Sequence, residues 1–532
     1  MGRSWTDEQK KVIETRGSSL LVSAAAGSGK TAVLVERILR EILNPVRPVD
    51  LDRLLIVTFT RAATSQLRER IRDAVTARYE EEPGNEQLRH QMTLLYSDHI
   101  MTIDKFFLMV IREHYQQIGL DPSFRIGDEG ELKLMRADLV SAVLEEAYKE
   151  GDPDFLRFSD CYAAGISDAA LEGMVLDFWE SSSSHPWPKE WRHACLRQYL
   201  DEPSSWAWLS QLLDVVHAQL LDILENIDQT LALCAGPGGP KAAQPALLSD
   251  RELVLQLMGE RAYDQLRASF SDMKFARISK KEKKGEEPYD AVKVQMVADL
   301  RDSWKKKLGS LREKYFMRPL SEEAELMKRT GADFAVLVRL ADRFEEAFSE
   351  EKTRKNILDF TDTAHLALKV LIKKDENGDI VPTQTAREYQ DYFEEIAIDE
   401  YQDSNEIQEL LLSSVSRESR GVYNRFMVGD VKQSIYRFRM SDPGIFMKKY
   451  ESYRKQEDSP KREEGVQAEE DVQPQPRQLR IDLHKNFRSR REVLEAVNLV
   501  FRQIMRREVG GVTYGEDESL YPGAAFESCP EP

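Results

Sequence analysis

The stretch Ser19–Arg37, SLLVSAAAGSGKTAVLVER, constrains this chain more than any other. An apolar run, Leu20-Leu21-Val22, suits a buried parallel strand. The chain then turns through Ala24-Ala25-Ala26-Gly27-Ser28-Gly29 and enters a helical pattern at Lys30-Thr31. This is a phosphate-binding loop in its Ala-first form, A-x-x-x-x-G-K-T. Small residues let backbone N–H groups close on a triphosphate, and the helix N-terminus adds the positive end of its dipole. Lys30 is placed to reach the β- and γ-phosphates of ATP, and the Thr31 hydroxyl to ligate Mg²⁺. Strand, loop and helix in that order predict an α/β fold built on a parallel sheet.

Around this core there is sequence for about three or four domains. With 41% hydrophobic and 32% charged residues the composition is globular. No apolar run approaches the roughly 18 residues of a membrane span. The start, MGRSWTDEQKK, lacks an apolar signal core, and Arg3-Ser4-Trp5-Thr6 reads as a helix start rather than a lipidation signal. The expected location is therefore cytoplasmic. Cys161, Cys195, Cys234 and Cys529 form no C-x-x-C pair, which predicts reduced thiols and no zinc or iron–sulfur site. The net charge of −18 argues against general polyanion binding. Nucleic-acid contacts would need local basic stripes or aromatic platforms.

Along the chain, Thr6 and Gln9 are spaced as a capping box. Gln9 has a second use open to it, since a side-chain amide matches the donor and acceptor of an adenine edge. Leu54–Thr60 reads as a second strand, ending in hydroxyls and Phe59. His99–Ile103 reads as a third. If both end at one sheet edge, Thr58, Phe59 and Thr102 form a floor for bases and phosphates; the alternative is ordinary sheet core. From about Phe107 to Asn356 the pattern is helical, as in Leu209, Leu213, Val216, Leu220, Leu224 and Ile227. The lysines at 280, 281, 283 and 284 are either a solvated helix face or a DNA-facing arm. Strands resume at Glu395–Ile398 and Arg425–Val428. A polar stretch from Lys455 to Gln478 reads as a linker, and Leu479–Leu483 as a further strand.

Adjacent carboxylates are common in a chain with 93 acidic residues, but Asp399-Glu400 directly follows an apolar strand. There Asp399 is placed to hold Mg²⁺ and Glu400 to orient and deprotonate a water. Gln433 follows the next strand and is placed to sense a γ-phosphate. Phe438 is an aromatic beside a possible DNA path. Arg488 offers positive charge to a transferring phosphoryl group. From Thr31 to Asp399 is roughly 370 residues, far more than one strand–helix–strand unit requires, which predicts a large helical insertion.

As an ordered set, Thr6–Gln9, Ala24–Thr31, TFTRAA (58–63), TIDKF (102–106), LDFTD (358–362), DEYQD (399–403), GDVKQSIYRFR (429–439) and NFRS (486–489) resemble superfamily 1 helicases of the UvrD/RecB type. Within that group the likeness is strongest to the AddA-type subunits of AddAB helicase–nucleases. FRIGD (124–128) and SSSSHPWPKEW (181–191) extend it through the insertion. The resemblance implies a RecA-like motor domain in two parts, 1–106 and 357–454. It further implies a helical insertion domain over 107–356, a linker over 455–478 and the start of a second RecA-like domain over 479–532. By likeness, Gln9 recognises adenine and Phe487 stacks on it. Residues Ala24 to Gly29, with Lys30, Thr31, Asp399, Glu400, Gln433 and Arg488, surround the phosphates and Mg²⁺. Thr58, Phe59, Thr102 and Phe438 line a single-strand track. The family moves 3′ to 5′ and serves double-strand-break repair and recombination, which implies DNA ends as substrate and an AddB-like partner subunit.

Two departures bear on the DNA contacts: Arg61 stands where the family often has Asn, and Asp104-Lys105 replaces His-Ser. No later helicase motif and no nuclease signature follows NFRS, so the expectation is an amino-terminal part of a longer protein. The competing reading is a non-catalytic ATP- and DNA-binding module used in assembly. DNA-stimulated ATP hydrolysis separates the two.

Overall fold

Seven parallel strands form the sheet that carries the phosphate loop. The computed structural model describes residues 5–95, 99–163, 165, 167–279, 288–436, 440–456, 477–507 and 512–526. The strands are β1 (Ser19–Ala24), β2 (Leu54–Thr58), β3 (Ile100–Thr102), β4 (Glu395–Ile398), β5 (Arg425–Gly429), β6 (Arg454–Lys455) and β7 (Gln478–Leu483). Their spatial order is β6-β7-β1-β5-β4-β2-β3. The central strands are buried along nearly their whole length, as expected of a parallel sheet covered on both faces.

Alternation along the strands divides the core in two. Leu21, Leu55, Val57 and Met427 point to one side, where they meet Phe106 and Val110 of α4 (Ile103–Glu113), Leu371 of α5 (Phe360–Leu371) and Leu411 of α6 (Glu406–Ser414). Leu20, Val22, Ile56 and Val428 point to the other. They meet Val12 and Ile13 of α1 (Asp7–Glu14), Val33 and Ile38 of α2 (Lys30–Ile42), and Leu67 and Ile71 of α3 (Arg61–Glu81).

One strand lies elsewhere than expected. The segment Leu479–Leu483, read as the opening of a second motor domain, is β7, hydrogen bonded to β1 from Ser19↔Gln478 to Ala24↔Leu483. Its alternate residues Leu479, Ile481 and Leu483 supply the reason, since they bury in the same core as Leu20 and Val22. The chain then leaves the sheet through Lys485-Asn486, and α7 (Arg491–Ile504) follows. The linker expected over 455–478 lies mostly outside the described residues.

The chain divides into two compact units. The sheet and everything named above belong to the first, drawn from 1–145, 172–189 and 341–532. The second, drawn from 146–171 and 190–340, is built mainly of helices. In it, Val216, Leu220 and Ile227 of the helix Ala207–Ala235 bury against Leu247, Val254, Trp304 and Leu308. An ion pair is buried beside them: Arg301 donates to Asp250 at 2.7 and 2.9 Å, and the Trp304 indole donates to the same carboxylate at 3.2 Å. No described helix is long and apolar enough to cross a membrane.

Candidate nucleotide site

The phosphate loop leaves β1 at Ala24 and enters α2 at Lys30. Gly27 and Gly29 hold φ of +70° and +89°, a left-handed conformation that side chains disfavour. Helices α1, α3 and α4 each have an N-terminal N–H capped by a threonine side chain: Thr6, Thr60 and Thr102. The N-cap of α2 is Gly29, which offers none. The N–H groups of the first turn, which no carbonyl within a helix can satisfy, are thus left for another acceptor. The Ser28 hydroxyl is buried and has no hydrogen-bond partner. A donor-rich, small-residue cradle with an orphaned hydroxyl fits a phosphate chain.

Two strand ends bring the remaining chemistry to this loop. Strand β4 ends at Asp399, whose backbone N–H donates to the Val57 carbonyl of β2 at 3.0 Å. Burial pushes the Asp399 carboxyl up to about 6, and the neighbouring charge of Glu400 adds to this; Lys30 and Arg70 pull the other way. Glu400 sits at φ +52°, left-handed for a non-glycine residue. That bend carries its side chain back across the loop, where Lys30 Nζ donates to Glu400 Oε2 at 2.9 Å and to Gln433 Oε1 at 3.3 Å. Three residues about 370–400 apart in sequence therefore meet at one ammonium group. Asp403 lies alongside, its carboxyl raised to about 6 by burial and by Glu400.

The Asn486–Arg488 segment lies directly on the loop. Asn486 Nδ2 donates to the Ala26 carbonyl at 2.7 Å, and Phe487 N–H to the Gly27 carbonyl at 2.9 Å. A Cβ at Gly27 would come within 2.8 Å of Asn486 Nδ2. Arg488 is exposed, and the Phe487 ring packs on Gly523 with 38% of its surface open. Gln9 performs the capping role: its Oε1 accepts from Thr6 N–H, and its Nε2 donates to the Ser28 carbonyl at 3.0 Å. It thereby braces the loop, and both its amide atoms are engaged within the chain.

On the expected DNA side, β2 and β3 do lie side by side, with Thr58 level with Thr102. Thr58, however, is fully buried. Its hydroxyl shares a hydrogen bond with Thr64 at 2.6 Å and lies 3.2 Å from the Thr60 carbonyl, so it ties the turn rather than facing a ligand. Thr102 accepts from Lys105 N–H as the cap of α4. Phe59 is half-buried, packed against the core. Phe438 and the lysines at 280, 281, 283 and 284 lie outside the described residues.

Three residues escaped the sequence reading. Arg70 of α3 is close enough for its charge to favour ionised Asp399, yet in sequence it is only part of a charged helix face. Gln402 and Asp430 are buried between Glu400 and Gln433. Their signal lies in plain view within DEYQD and GDVKQ, where the flanking carboxylates and Gln433 are the more conspicuous residues.

Comparison with known proteins gives a family match over residues 5–454, to the UvrD/REP helicase N-terminal domain. Three relatives are named as ATP-dependent helicase/nuclease subunits of the AddA kind. That of Lachnoclostridium phytofermentans is 44% identical over 98% of this chain and 37% of its own length. That of Acetivibrio thermocellus is 38% identical over 98% of this chain and 41% of its own. That of Anoxybacillus flavithermus is 38% identical over 98% and 42%. The chain thus spans about two-fifths of the length of the curated relatives it matches. With the phosphate loop, the carboxylates of β4 and the glutamine after β5 in the family's order and in one place, this chain belongs to the UvrD/REP helicase N-terminal domain family.

Proposed function

We propose that the chain binds ATP with Mg²⁺ and couples its hydrolysis to movement on DNA, as the motor portion of an AddA-type helicase–nuclease. The observation that carries this reading is the meeting of Lys30, Glu400 and Gln433 at the mouth of an uncapped helix. When a triphosphate enters, Lys30 exchanges Glu400 for the β- and γ-phosphate oxygens. Glu400 is then left facing the γ-phosphate as a base. It takes the proton of a water whose oxygen attacks the γ-phosphorus while the bond to the β-bridging oxygen breaks and ADP departs. Thr31 and Asp399 would hold Mg²⁺, which when bound neutralises charge on the β- and γ-oxygens. Arg70 and Arg488 add positive charge from either side, and Phe487 offers a face to the adenine.

The resemblance to the AddA group extends the reading. Single-stranded DNA crosses Phe59, Thr102 and Phe438 in the 3′ to 5′ sense, an AddB-like subunit completes the enzyme, and broken DNA ends are its substrate. Residues 1–106 and 357–454 make the first motor domain, with β7 added to its sheet, and 107–356 the insertion. The second motor then begins after Leu483. Titrating a fluorescent ATP analogue with Mg²⁺ into the chain and its Lys30→Ala variant tests the site. Tight binding by the first and a loss of tenfold or more in the second are expected. Equal affinity would overturn the assignment. Stimulation of ATP hydrolysis by oligo-dT then separates a motor from a passive ATP- and DNA-binding module.

A further inference from the structure

We propose that Gln402 is a positioning residue that couples the orientation of Glu400 to the segment 430–442, and through it couples nucleotide binding to DNA binding. The proposal rests on the ATP-site reading above and deepens it.

Gln402 sits in the turn after β4 with 2% of its surface exposed. Its amide is fully used. Nε2 donates to Glu400 Oε2 at 3.0 Å and to Asp403 Oδ2 at 3.2 Å, and Oε1 accepts from the Asp430 backbone N–H at 2.9 Å. Two carboxylates on one end and an N–H on the other leave only one way round for the amide. Strand β5 is built to come this close: a Cβ on Gly429 would lie 2.4 Å from Gln402 Oε1. No side chain but glycine's fits there without moving Gln402.

Asp430, 1% exposed, passes the contact on. Its Oδ2 accepts from Gln433 Nε2 at 2.9 Å, which turns Gln433 Oε1 toward Lys30 Nζ, 3.3 Å away. Lys30 in turn donates to Glu400 at 2.9 Å, on the same oxygen that Gln402 holds. The side chains of Lys30, Glu400, Gln402 and Gln433, with Asp430 contributing both backbone and side chain, close a ring. The far end of the segment returns to the same turn, where Asp442 N–H donates to the Ser404 carbonyl at 2.9 Å. Both ends of 430–442 therefore hang on residues 402–404, and the segment carries the aromatic position proposed to meet DNA. A shift of the segment on DNA moves the Asp430 N–H. The planar amide of Gln402 converts that shift into a change at Glu400, loosening or tightening its hold by Lys30.

The test measures linkage rather than turnover. The dissociation constant of a non-hydrolysable fluorescent ATP analogue with Mg²⁺ is measured on the chain with and without saturating oligo-dT. The native protein should show a ratio of fivefold or more, within the usual range of coupling between sites. Gln402→Met keeps length and bulk without the hydrogen bonds, and the ratio should fall to within twofold of one, whatever its effect on either affinity alone. Gln402→Glu gives a second variant, since its protonated form again offers one donor and one acceptor. Its ratio should recover as the pH is lowered from 8 to 6, while the native ratio does not rise. Melting curves identify a variant that has not folded, and Gln402→Glu then decides. A Gln402→Met ratio equal to the native one, a pH-independent Gln402→Glu, or a native protein that binds nucleotide and DNA without coupling would each overturn the proposal. A native protein that binds no nucleotide overturns the ATP-site reading itself.

Discussion

Replacing Glu409 by glutamine should remove a large part of the stability of the frame behind the nucleotide site, and should do so in a pH-dependent way. Glu409 lies on α6, one turn past the carboxylates of β4. Burial works to raise its carboxyl, but the Arg425 guanidinium and the Lys449 ammonium outweigh burial and hold it at about 2, against an ordinary 4.5. Arg425 Nη1 donates to it at 2.9 Å, Lys449 Nζ lies 2.9 Å away, and the Tyr401 hydroxyl donates at 2.7 Å. Arg425 is itself on β5, so the pair ties β5 to α6. A gap from 4.5 to about 2, at about 1.4 kcal/mol per pH unit, corresponds to about 3 kcal/mol. Because the folded value is the depressed one, this stabilisation is complete above pH 4.5 and is lost as the pH falls toward about 2. Glu409→Gln keeps the shape but not the charge. It should cost about 3 kcal/mol at pH 7 and only about 1.5 kcal/mol at pH 3. A chain of two units is unsuited to a single melting temperature. Hydrogen exchange of peptides covering β4 and β5 under increasing urea, at both pH values, isolates the relevant opening. An opening free energy unchanged by the mutation at pH 7, or a cost that stays constant down to pH 3, would refute the reasoning.

Lys30→Ala should leave the melt of the nucleotide-free protein within a degree or so of native while abolishing the stabilisation that ATP and Mg²⁺ confer, read by scanning fluorimetry. Phe59→Ala should weaken oligo-dT binding by about 1–3 kcal/mol if a base stacks there. Thr58→Val, which touches only the buried Thr64 hydroxyl and the Thr60 carbonyl, should lower stability by about 1 kcal/mol and leave DNA affinity unchanged; fluorescence anisotropy distinguishes the two. Gly27→Ala forces a side chain into a left-handed conformation costing about 1–2 kcal/mol and pushes Asn486 off the loop. It should reduce nucleotide affinity at least tenfold by isothermal titration, and native affinity would show that the Asn486 contact is dispensable.

The strands of the sheet were legible because parallel strands covered on both faces are continuous apolar runs. Glu395–Ile398 agrees with the structure residue for residue, and the others to within two or three residues at each end. The nucleotide site was legible for a related reason: its chemistry needs fixed residue types at fixed distances from strand ends. What stayed hidden was pairing. The apolar alternation of Leu479, Ile481 and Leu483 marks a buried face but carries no information on which sheet receives it. A threonine at a strand end likewise reads the same whether its hydroxyl meets DNA or, as at Thr58, another threonine. Gln402 was hidden because a glutamine between carboxylates declares nothing until the backbone of β5 is seen to arrive within hydrogen-bond reach of it.

The position of β1 has a consequence for how this protein is made. Its two neighbours, β5 and β7, are both encoded about 400 residues or more downstream. At roughly 5–20 residues per second, the ribosome takes on the order of 20–80 s to supply even the nearer one. Throughout that interval the strand Leu20-Leu21-Val22 has left the exit tunnel with neither edge paired and its apolar side chains uncovered. β2 and β3, by contrast, are about 45 residues apart and can associate at once. The first strand synthesised is thus among the last to find its neighbours, so nascent chains of this protein are expected to be clients of a holding chaperone. The ATP site, built on both ends of the message, cannot exist before translation has passed β5.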